Sequence, residues 1–535
     1  MKKNIFLVGA MAAYCFSSLA LADHHEEGEK AAPLMGLKAE AAEKIDANAK
    51  LAQEIVDTLF SFSELAFQEF ETQKYITNLL EDNGFTVAQG VSGLPSSWWA
   101  TWSNGKGPTI ALGTDVDGIP KASQMPGVAY RQPMVEGAPG HGEGHNSGQA
   151  VNIVAALAVK DLMIRDGIKG TLVLWPGIAE ELVAAKAYYA RDGLFKGVDA
   201  VLFTHVGRNL STSWGTGRGT GLISVEYTFS GKAAHGAGDP WRGKSALDAV
   251  ELMNIGWNYK REHLHPLQRS HYVVTDGGDQ PNVVPSKASV WYFIREMTAK
   301  KILENFEALD QIASGAAMMT GTTKSRRIIG SAWPRNFNKT IAEAMYENIK
   351  AVGLPDWSED DQNFAKAVQT MLGRDEINGL ATELDELEGP PAEPYSGGSD
   401  DIGDVSWNVP TITLRYPSNI RGTTGHHWSS AIAMATPIAH KGAVQGAKVM
   451  AATILDLMTN EKLLKDAWTY FEEEQLGDIV YEPFISATDK PAIEKNRGIM
   501  ATHKADLQKY YYDAGKFDTY LEQLGIEYPQ LKKQD

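Results

Sequence analysis

Three short apolar runs, each followed at once by acidic residues or a histidine, most constrain the fold of this chain. The runs lie in the segments TIALGTDVDG, TLVLWPGIAEE and AVLFTHVG, and helical stretches separate them. Buried strands that alternate with helices predict a mostly parallel α/β sheet. The carboxyl ends of such strands lie at one edge of the sheet, so we expect a functional site there. The polar residues at these strand ends are Asp115, Asp117, Glu180, Glu181 and His205.

A different pattern occupies residues 218–332. Strands of alternating polarity, such as GLISVEYTFSG and KASVWYFIRE, are interleaved with two amphipathic helices. The order strand–helix–strand–strand–helix predicts an inserted α+β domain of the ferredoxin-like type. The α/β domain is therefore expected in two parts, at residues 23–217 and 333–462. A charged, tyrosine-rich helical appendage is expected at residues 463–535.

The first 22 residues predict a secretory signal peptide. Lys2 and Lys3 precede an uncharged, largely apolar run, and Ala20 and Ala22 have the spacing that cleavage requires. A membrane anchor is the alternative, since a run of this length can just span a bilayer. Cleavage would remove the only cysteine, Cys15, so the mature chain would have neither a disulfide nor a thiolate ligand. We expect a secreted or periplasmic protein that is outside the membrane after cleavage.

The charge balance argues against binding to nucleic acid. The chain has 67 acidic and 50 basic residues and a net charge of −17 at pH 7. A surface that binds the phosphate backbone needs an excess of positive charge. No nucleic-acid partner is therefore expected, and the hydrophobic fraction of 43% is that of an ordinary globular protein.

Histidine and glutamate side chains form a candidate metal site. Hydrolysis of an amide near neutral pH needs a strong nucleophile, a polarised carbonyl and a proton shuttle. A metal centre supplies the first two, and an unligated glutamate supplies the third. Zinc and manganese both accept imidazole nitrogen and carboxylate oxygen, so the donor atoms leave the choice of metal open. The candidate ligands are Glu143, His145, Glu181, His205 and His426. Each of them alone is equally well explained as a structural residue of a strand end or turn.

Eight blocks of sequence follow one another between about residue 40 and residue 460. They are GTDVDGIP, PGHGEGHNSG, GIAEELVAAKAYYARDGLF, FTHV, FSGKAAHGAGDPWRGKSALDAVELMN, TDGGDQPNVVPSKASVWYFIRE, GGSDDIGDVSWNVPT and GTTGHHW. Together they resemble the amidohydrolase branch of the aminoacylase/carboxypeptidase-type metallopeptidases. The resemblance implies a metallopeptidase catalytic domain with an inserted lid.

The resemblance also implies roles for individual residues. Glu180 corresponds to the general base that activates water and then protonates the leaving amine. Glu181 and His426 correspond to the ligands of one divalent metal ion, and His145 and His205 to those of a second. Asp117 corresponds to the aspartate that orients the metal ligands.

Glu143 departs from the pattern of the branch. The residue at its position normally bridges the two metal ions and is typically a cysteine. A carboxylate is a harder ligand, which would shift the preference towards manganese, and it does not oxidise outside the cytoplasm. The alternative is that the exchange impairs the metal centre.

The lid residues complete the expected site. His235 corresponds to the histidine that stabilises the oxyanion, commonly in the active site of the partner subunit, so we expect a homodimer formed through the lid. Asn282 and Arg295 correspond to residues that contact the substrate, with Arg295 at its free carboxylate. Structural alternatives are a turn for His235 and a surface salt bridge for Arg295.

The expected activity is metal-dependent hydrolysis of the amide bond in N-acyl or N-aroyl amino acids with a free carboxylate. A dipeptidase or a deacylase of N-acyl amino acids that uses the same site is an alternative. A non-catalytic ligand-binding protein with an impaired metal centre is another. The presence of Glu180 favours the enzyme, because a binding protein has no use for an unligated base.

Overall fold

The structure is a computed structural model that describes residues 33–395 and 397–532. The expected signal peptide at residues 1–22 lies outside the described residues. The described strands are β1 (Thr86–Gln89), β2 (Trp98–Ser103), β3 (Thr109–Asp115), β4 (Thr171–Gly177), β5 (Ala200–Val206), β6 (Gly221–Ser230), β7 (Arg269–Asp276), β8 (Lys287–Glu296), β9 (Thr323–Ala332) and β10 (Thr411–Tyr416). The described α-helices are α1 (33–47), α2 (Ala49–Phe62), α3 (Phe70–Asp82), α4 (Gly148–Asp166), α5 (Lys186–Asp192), α6 (Ala246–Arg261), α7 (Ala299–Thr320), α8 (Lys339–Val352), α9 (Glu359–Met371), α10 (Ile402–Ser406), α11 (Trp428–Ala431), α12 (Pro437–Thr459), α13 (Glu461–Tyr470), α14 (Arg497–Leu507) and α15 (Tyr520–Leu524).

The main sheet contains six strands in the order β1–β2–β4–β3–β5–β10. Strands β4, β3, β5 and β10 run parallel to one another, whereas β1 and β2 are joined antiparallel at one side. β5 is buried along its whole length, as expected for a strand that crossover helices cover on both faces. The predicted mostly parallel α/β sheet is confirmed.

Glycines allow two helices to lie directly on this sheet. At Gly148, the first residue of α4, an added Cβ would lie 1.9 Å from Oγ1 of Thr114 on β3. At Gly446 of α12, an added Cβ would lie 2.7 Å from Cβ of Tyr416 on β10. Only a residue without a Cβ permits such close approach. The loop that precedes α4 and carries His145 is thereby fixed against the end of β3.

The second sheet is antiparallel in the order β7–β8–β6–β9, and α6 and α7 pack on it. The side chains of Ser245 and Thr298 cap the two helices by accepting hydrogen bonds from Asp248 N and Lys301 N. The chain order β6–α6–β7–β8–α7–β9 has the expected ferredoxin-like form. We call the segment Gly221–Ala332, which contains this sheet, the lid.

The C-terminal segment after α13 packs against both parts of the molecule. Tyr520 is fully buried, and its backbone N–H donates to Oδ2 of Asp57 on α2 at 3.0 Å. Phe484 stacks on Trp333, the residue after β9, with ring centroids 5.6 Å apart. The segment is helical in α14 and α15 and mostly irregular elsewhere. Among the described helices, none is both long enough and apolar enough to cross a bilayer.

Candidate metal centre and active site

The parallel strands bring the polar strand ends together. β4 and β5 flank β3, and the register pairs Asp115 with Gly177 and Thr114 with Thr204. The turn after β4 carries Glu180 and Glu181, and β5 carries His205 near its end. The order of the sheet therefore explains why side chains distant in sequence meet at one edge.

Glu180 lies in a strained turn. The single helical turn Glu180–Leu182 is flanked by Ala179 and Val183, both in the left-handed region with φ of 50° and 52°. A β-branched residue adopts this conformation only where its surroundings enforce it, and such strain is typical of functional sites. Glu180 is only 8% exposed. Burial raises the pKa of its carboxyl well above the usual range, and the nearby charges of Asp115 and Asp400 raise it further.

Asp117 fixes two of the predicted ligands. Its backbone oxygen lies 3.1 Å from Nδ1 of His145, and its Oδ2 accepts a hydrogen bond from the backbone N–H of Glu181 at 3.0 Å. We assign the His145 hydrogen to Nδ1, because the carbonyl can only accept. Nε2 of His145 is buried without any partner. Burial lowers the pKa of His145, but the carboxylates of Asp117, Asp115 and Glu181 outweigh it and raise that pKa to about 10, so a divalent ion would displace the Nε2 hydrogen when it binds. This is the arrangement that holds a metal-binding imidazole in place.

His205 has a similar arrangement beside His145. Its Nδ1 lies 2.8 Å from the backbone oxygen of Val206, which leaves Nε2 available to a ligand. The two imidazole rings are nearly perpendicular, with centroids 5.3 Å apart. Burial lowers the pKa of His205 to about 3, helped by the positive charge of Arg415 and by His145. The ring is therefore neutral at physiological pH, which is the form that binds metals.

Glu143 and His426 close the outer side of the site. Nδ1 of His426 lies 3.2 Å from Oε2 of Glu181, and its Nε2 lies 4.0 Å from Oε2 of Glu143. His426 is left-handed, with φ of 52°, and its side chain is 68% exposed. Burial alone would raise the pKa of Glu143, but the neighbouring histidines, His205 first, outweigh it and lower that pKa. Glu143 is therefore a carboxylate that faces three imidazoles.

The donor atoms fit divalent metal ions. Besides Nε2 of His145, Oδ1 of Asp117 and Oε1 of Glu181 are buried without a hydrogen-bond partner, and Oε2 of Glu181 has only its contact with Nδ1 of His426. Such atoms are costly to bury unless a cation or donor meets them. Potential ligand atoms of His145, Glu180 and Glu181 lie within 4.8 Å of one another, and so do those of Asp115, His145 and His205. Glu143 and His426 lie outside these two compact groups.

A buried lysine behind Glu180 was not anticipated. Nζ of Lys186 is fully buried, lies 2.6 Å from Oδ1 of Asp115 and also contacts Asp401. Oδ2 of Asp401 accepts hydrogen bonds from the backbone N–H groups of Ala185 and Lys186, at the start of α5. Lys186 thus joins the end of β3 to the loop before α10. A sequence signal existed, because Lys186 lies in the same block as Glu180.

Arg295 reaches the site from the lid. It lines a cavity of about 390 Å³ together with Glu180, Glu181 and His426. Its Nη1 donates to Oγ of Ser399 at 2.8 Å, and its Nε is buried without a partner. Two further arginines, Arg335 and Arg415, line the same cavity and were not anticipated from the sequence. Among the described residues, none of these three guanidinium groups has a carboxylate oxygen within 4.0 Å.

His235 and Asn282 do not join this cavity. Both are exposed, and their segments are neighbours in the lid, where the backbone N–H of Gly236 donates to the backbone oxygen of Asn282 at 2.7 Å. Nδ1 of His235 accepts hydrogen bonds from Ala237 N and Gly238 N at 3.1 and 2.9 Å. In the neutral ring Nε2 therefore bears the hydrogen and is available as a donor. Within one chain this donor is separate from the ligand cluster.

Comparisons with known proteins agree with this architecture. The family model for the peptidase dimerisation domain matches residues 219–315. A p-aminobenzoyl-glutamate hydrolase polypeptide of Escherichia coli (strain K12) is 33% identical over 457 residues, covering 81% of this chain and 94% of that protein. The Xaa-Arg dipeptidase of Mus musculus is 28% identical, covering 83% of this chain and 95% of that protein.

A solved structure shares the fold. The aminobenzoyl-glutamate utilization protein from Klebsiella pneumoniae superposes with a TM-score of 0.54 at 16% identity, covering 78% of this chain and 97% of that one. The sequence identity over most of both chains and the match in the lid assign the chain to a family of hydrolases. The chain belongs to the M20 peptidase family, the aminoacylase/carboxypeptidase-type metallopeptidases and amidohydrolases.

Proposed function

We propose that this protein is an exported, metal-dependent amidohydrolase that cleaves the amide bond of N-acyl amino acids with a free carboxylate. One observation carries the proposal. Glu180, the buried carboxylate of Glu181 and the guanidinium of Arg295 all line one cavity of about 390 Å³. A base, a cation site and a carboxylate anchor in one cavity match the requirements of amide hydrolysis next to a carboxylate.

The metal ligands of the proposal are those expected from the sequence. Glu181 and His426 would hold one divalent ion, His145 and His205 a second, and Glu143 would bridge them. Zinc and manganese both suit this donor set. When bound, the ions supply the Lewis acid that polarises the amide carbonyl and lowers the pKa of water.

Glu180 moves the proton. Its carboxylate would take a proton from the attacking water and return it to the amide nitrogen as the carbon–nitrogen bond breaks. The strained turn fixes the direction of this side chain, and Asp117 fixes Glu181 next to it. Adjacent glutamates thereby serve two purposes, one as base and one as ligand.

The remaining residues bind the substrate and its charge. Arg295 would hold the free carboxylate through charge-assisted hydrogen bonds. His235 of the partner subunit would donate its Nε2 hydrogen to the oxyanion, since this donor lies apart from the cavity in its own chain. The functional unit of the proposal is therefore a homodimer formed through the lid.

Export belongs to the proposal as well. The pattern of residues 1–22 supports it, and so does the absence of any cysteine from the rest of the sequence. A dipeptidase is the second candidate, because a relative that shares most of its length with this chain is named an Xaa-Arg dipeptidase. A dipeptide presents the same amide bond next to a free carboxylate.

Release of free amino acid from a panel of N-acyl amino acids and dipeptides tests the proposal. The protein is first loaded with zinc or manganese, and the fully metal-loaded form is assayed at neutral pH. We expect turnover of N-acyl amino acids. We expect no turnover of the same N-acyl compounds when the free carboxylate is replaced by a carboxamide. A metal-loaded protein that binds these compounds and cleaves none of them would contradict the enzyme. Turnover of dipeptides alone would select the dipeptidase.

A further inference from the structure

A second cavity of about 240 Å³ adjoins the active-site cavity. The two share Glu143 and Arg415 among their lining residues, and the second cavity has neither Arg295 nor Glu180 in its wall. It opens instead beside the loop that follows β5, where Arg208 lies. It therefore continues from the ligand cluster in a direction that the base and the carboxylate anchor do not occupy.

Most polar side chains of this second cavity are already engaged. Nδ2 of Asn209 donates to Glu383 O at 2.9 Å, and Nδ2 of Asn419 donates to Ser430 O at 3.1 Å. The charges of Arg421 and Asp385 are paired at 3.2 Å. The guanidinium N–H groups of Arg208 and Arg415 remain for a ligand, beside the carboxylate of Glu143 and the hydroxyl of Ser211.

Arg208 and Arg415 supply those groups. Arg208 donates only to uncharged oxygens, those of Ile420 and Thr423, at 3.2 to 3.3 Å. Arg415 contacts His205 and the backbone oxygen of Val206. Throughout the described ranges 33–395 and 397–532, neither arginine has a carboxylate oxygen within 4.0 Å. Two guanidinium groups in one cavity wall that form no ion pair within this distance favour an anionic ligand.

The surrounding charges add to this preference. Arg208 is exposed at its outer side and partly desolvated at its inner side, and this partial desolvation lowers its pKa. Three nearby arginines, Arg415, Arg374 and Arg421, lower that pKa further, whereas Glu143 raises it. Glu143 is itself a proposed metal ligand, so its charge would be shared with a cation. An anion placed between Arg208 and Arg415 would relieve the repulsion among the arginines.

The position of the cavity decides which half of the substrate it receives. The side chain and carboxylate of an amino acid are attached to the same carbon, so both stay on the side of Arg295. With the carboxylate of the amino acid at Arg295, the acyl group would extend from the scissile carbonyl away from Arg295. The second cavity offers such a space, because it begins at the shared residues Glu143 and Arg415 and Arg295 does not line it.

Taking the proposed function as its basis, we infer that the second cavity is the acyl subsite and that it selects acyl groups ending in a carboxylate. The substrate class is then the mono-amide of a short dicarboxylic acid with an amino acid. Arg208 and Arg415 determine this specificity. Arg295 would hold the carboxylate of the amino acid in the first cavity, and Arg208, which lines only the second, would hold the carboxylate of the acyl group together with Arg415, which lines both.

A pair of substrates that differ in one group tests the inference. N-glutaryl and N-glutaramoyl derivatives of the same amino acid have acyl groups of equal length, which end in a carboxylate and in a neutral carboxamide. We expect kcat/KM to be about tenfold or more higher for the N-glutaryl compound, as one charge-assisted hydrogen bond predicts. Raising the salt concentration should reduce the ratio, because Arg208 lies at an exposed position.

The variant R208Q should bring the ratio of kcat/KM for the N-glutaryl and N-glutaramoyl compounds close to one, mainly through a higher KM for the N-glutaryl compound. The variant R208K should retain part of the preference for the N-glutaryl compound. R374Q removes the same charge from a neighbouring arginine outside the cavity wall and should leave the ratio unchanged. If R208Q does not fold, the ratio in the wild-type protein decides alone.

The outcomes separate the inference from the proposed function. Turnover of both compounds at equal rates, or a preference for the neutral one, would overturn the acyl subsite and leave the amidohydrolase intact. Absence of turnover with these and all other N-acyl amino acids would overturn both. If R208Q and R374Q lowered the ratio of the two kcat/KM values equally, the preference would come from the overall positive charge of this surface. That result would also contradict the proposed acyl subsite.

Discussion

At the carboxyl edge of the main sheet, the side chains of His145, Glu181 and Asp117 are buried and close together, and each has an atom without a hydrogen-bond partner. In the lid, His235 and Asn282 are exposed and have no part in that cluster. The first region is assembled within one chain by the order of strands in the sheet. The second presents a donor that needs another surface to act on. The difference teaches that, in the proposed enzyme, folding of one chain would complete the base and the cation site, whereas assembly of two chains would complete the oxyanion donor.

Among the variants of residues at the carboxyl edge of the main sheet, Glu180→Gln is expected to have the largest effect. Glutamine keeps the size of the side chain but cannot accept the proton, so we expect turnover to fall by about 10³- to 10⁴-fold. Metal content should remain that of the wild type, because Glu181 and the histidines are untouched. Elemental analysis and the rate of amino acid release are measured on the same preparation. Turnover within a few-fold of the wild type would show that Glu180 is not the base.

Lys186→Met tests whether the stability of the carboxyl edge of the main sheet depends on its buried ion cluster. Removal of the ammonium leaves Asp115 and Asp401 buried without their cation, so we expect the free energy of unfolding to fall by about 3 kcal/mol. Lys324→Met in the lid removes a partly exposed partner of Asp310, 2.7 Å away, and should cost less than about 1 kcal/mol. Denaturant unfolding followed by separate probes for the two domains gives both values. Equal costs would remove the distinction between the two regions.

His235→Ala tests the part of the site that the partner subunit is proposed to supply. Loss of an oxyanion donor should lower turnover by about 10²-fold with little effect on metal content. Mixing the H235A and E180Q variants after dissociation should restore activity, since each mixed dimer has one site with both residues intact. Random mixing predicts about a quarter of the wild-type rate, as half of the dimers are mixed and each has one working site. Absence of recovery in dimers shown to be mixed would contradict a donor from the partner subunit.

Arg295→Lys tests whether the lid contributes to substrate binding, since Arg295 is a lid residue that lines the active-site cavity. Lysine keeps the charge but loses the two-pronged donor, so we expect KM to rise by about tenfold with kcat changed much less. Asn258→Ala, at an exposed lid position outside the cavity, serves as the control and should change neither value. A fall in kcat with unchanged KM would place Arg295 in the chemical step instead of the binding step.

Much of the fold was predictable from the sequence, because apolar runs that end in acidic residues mark buried parallel strands. The same runs indicated which side chains would meet: Asp117, Glu180, Glu181 and His205 lie together as the strand order requires. That Glu143 bridges two ions stays a prediction. The position of His426 in a loop gave no comparable signal, and its place beside Glu181 depends on the resemblance to the family.

Other parts of the site could not be derived in this way. Lys186 contacts partners 71 and 215 residues away in the chain, and only the three-dimensional crossing of α5 with the loop before α10 brings them together. Arg415 points towards His205 because β10 pairs with β5 in that register. An arginine near the end of an apolar strand is ordinary in a sequence, so its place in the cavity becomes evident only from strand order.

Metal titration of the metal-free protein tests the central claim most directly. After removal of divalent ions with a chelator, zinc or manganese is added back in steps, and bound metal and amino acid release are measured at each step. We predict that the metal-free protein is inactive, that activity rises in proportion to occupancy and levels off near two ions per chain, and that the E180Q variant binds the same amount without activity. Full activity in the metal-free protein, or saturation with metal without any turnover, would contradict the account.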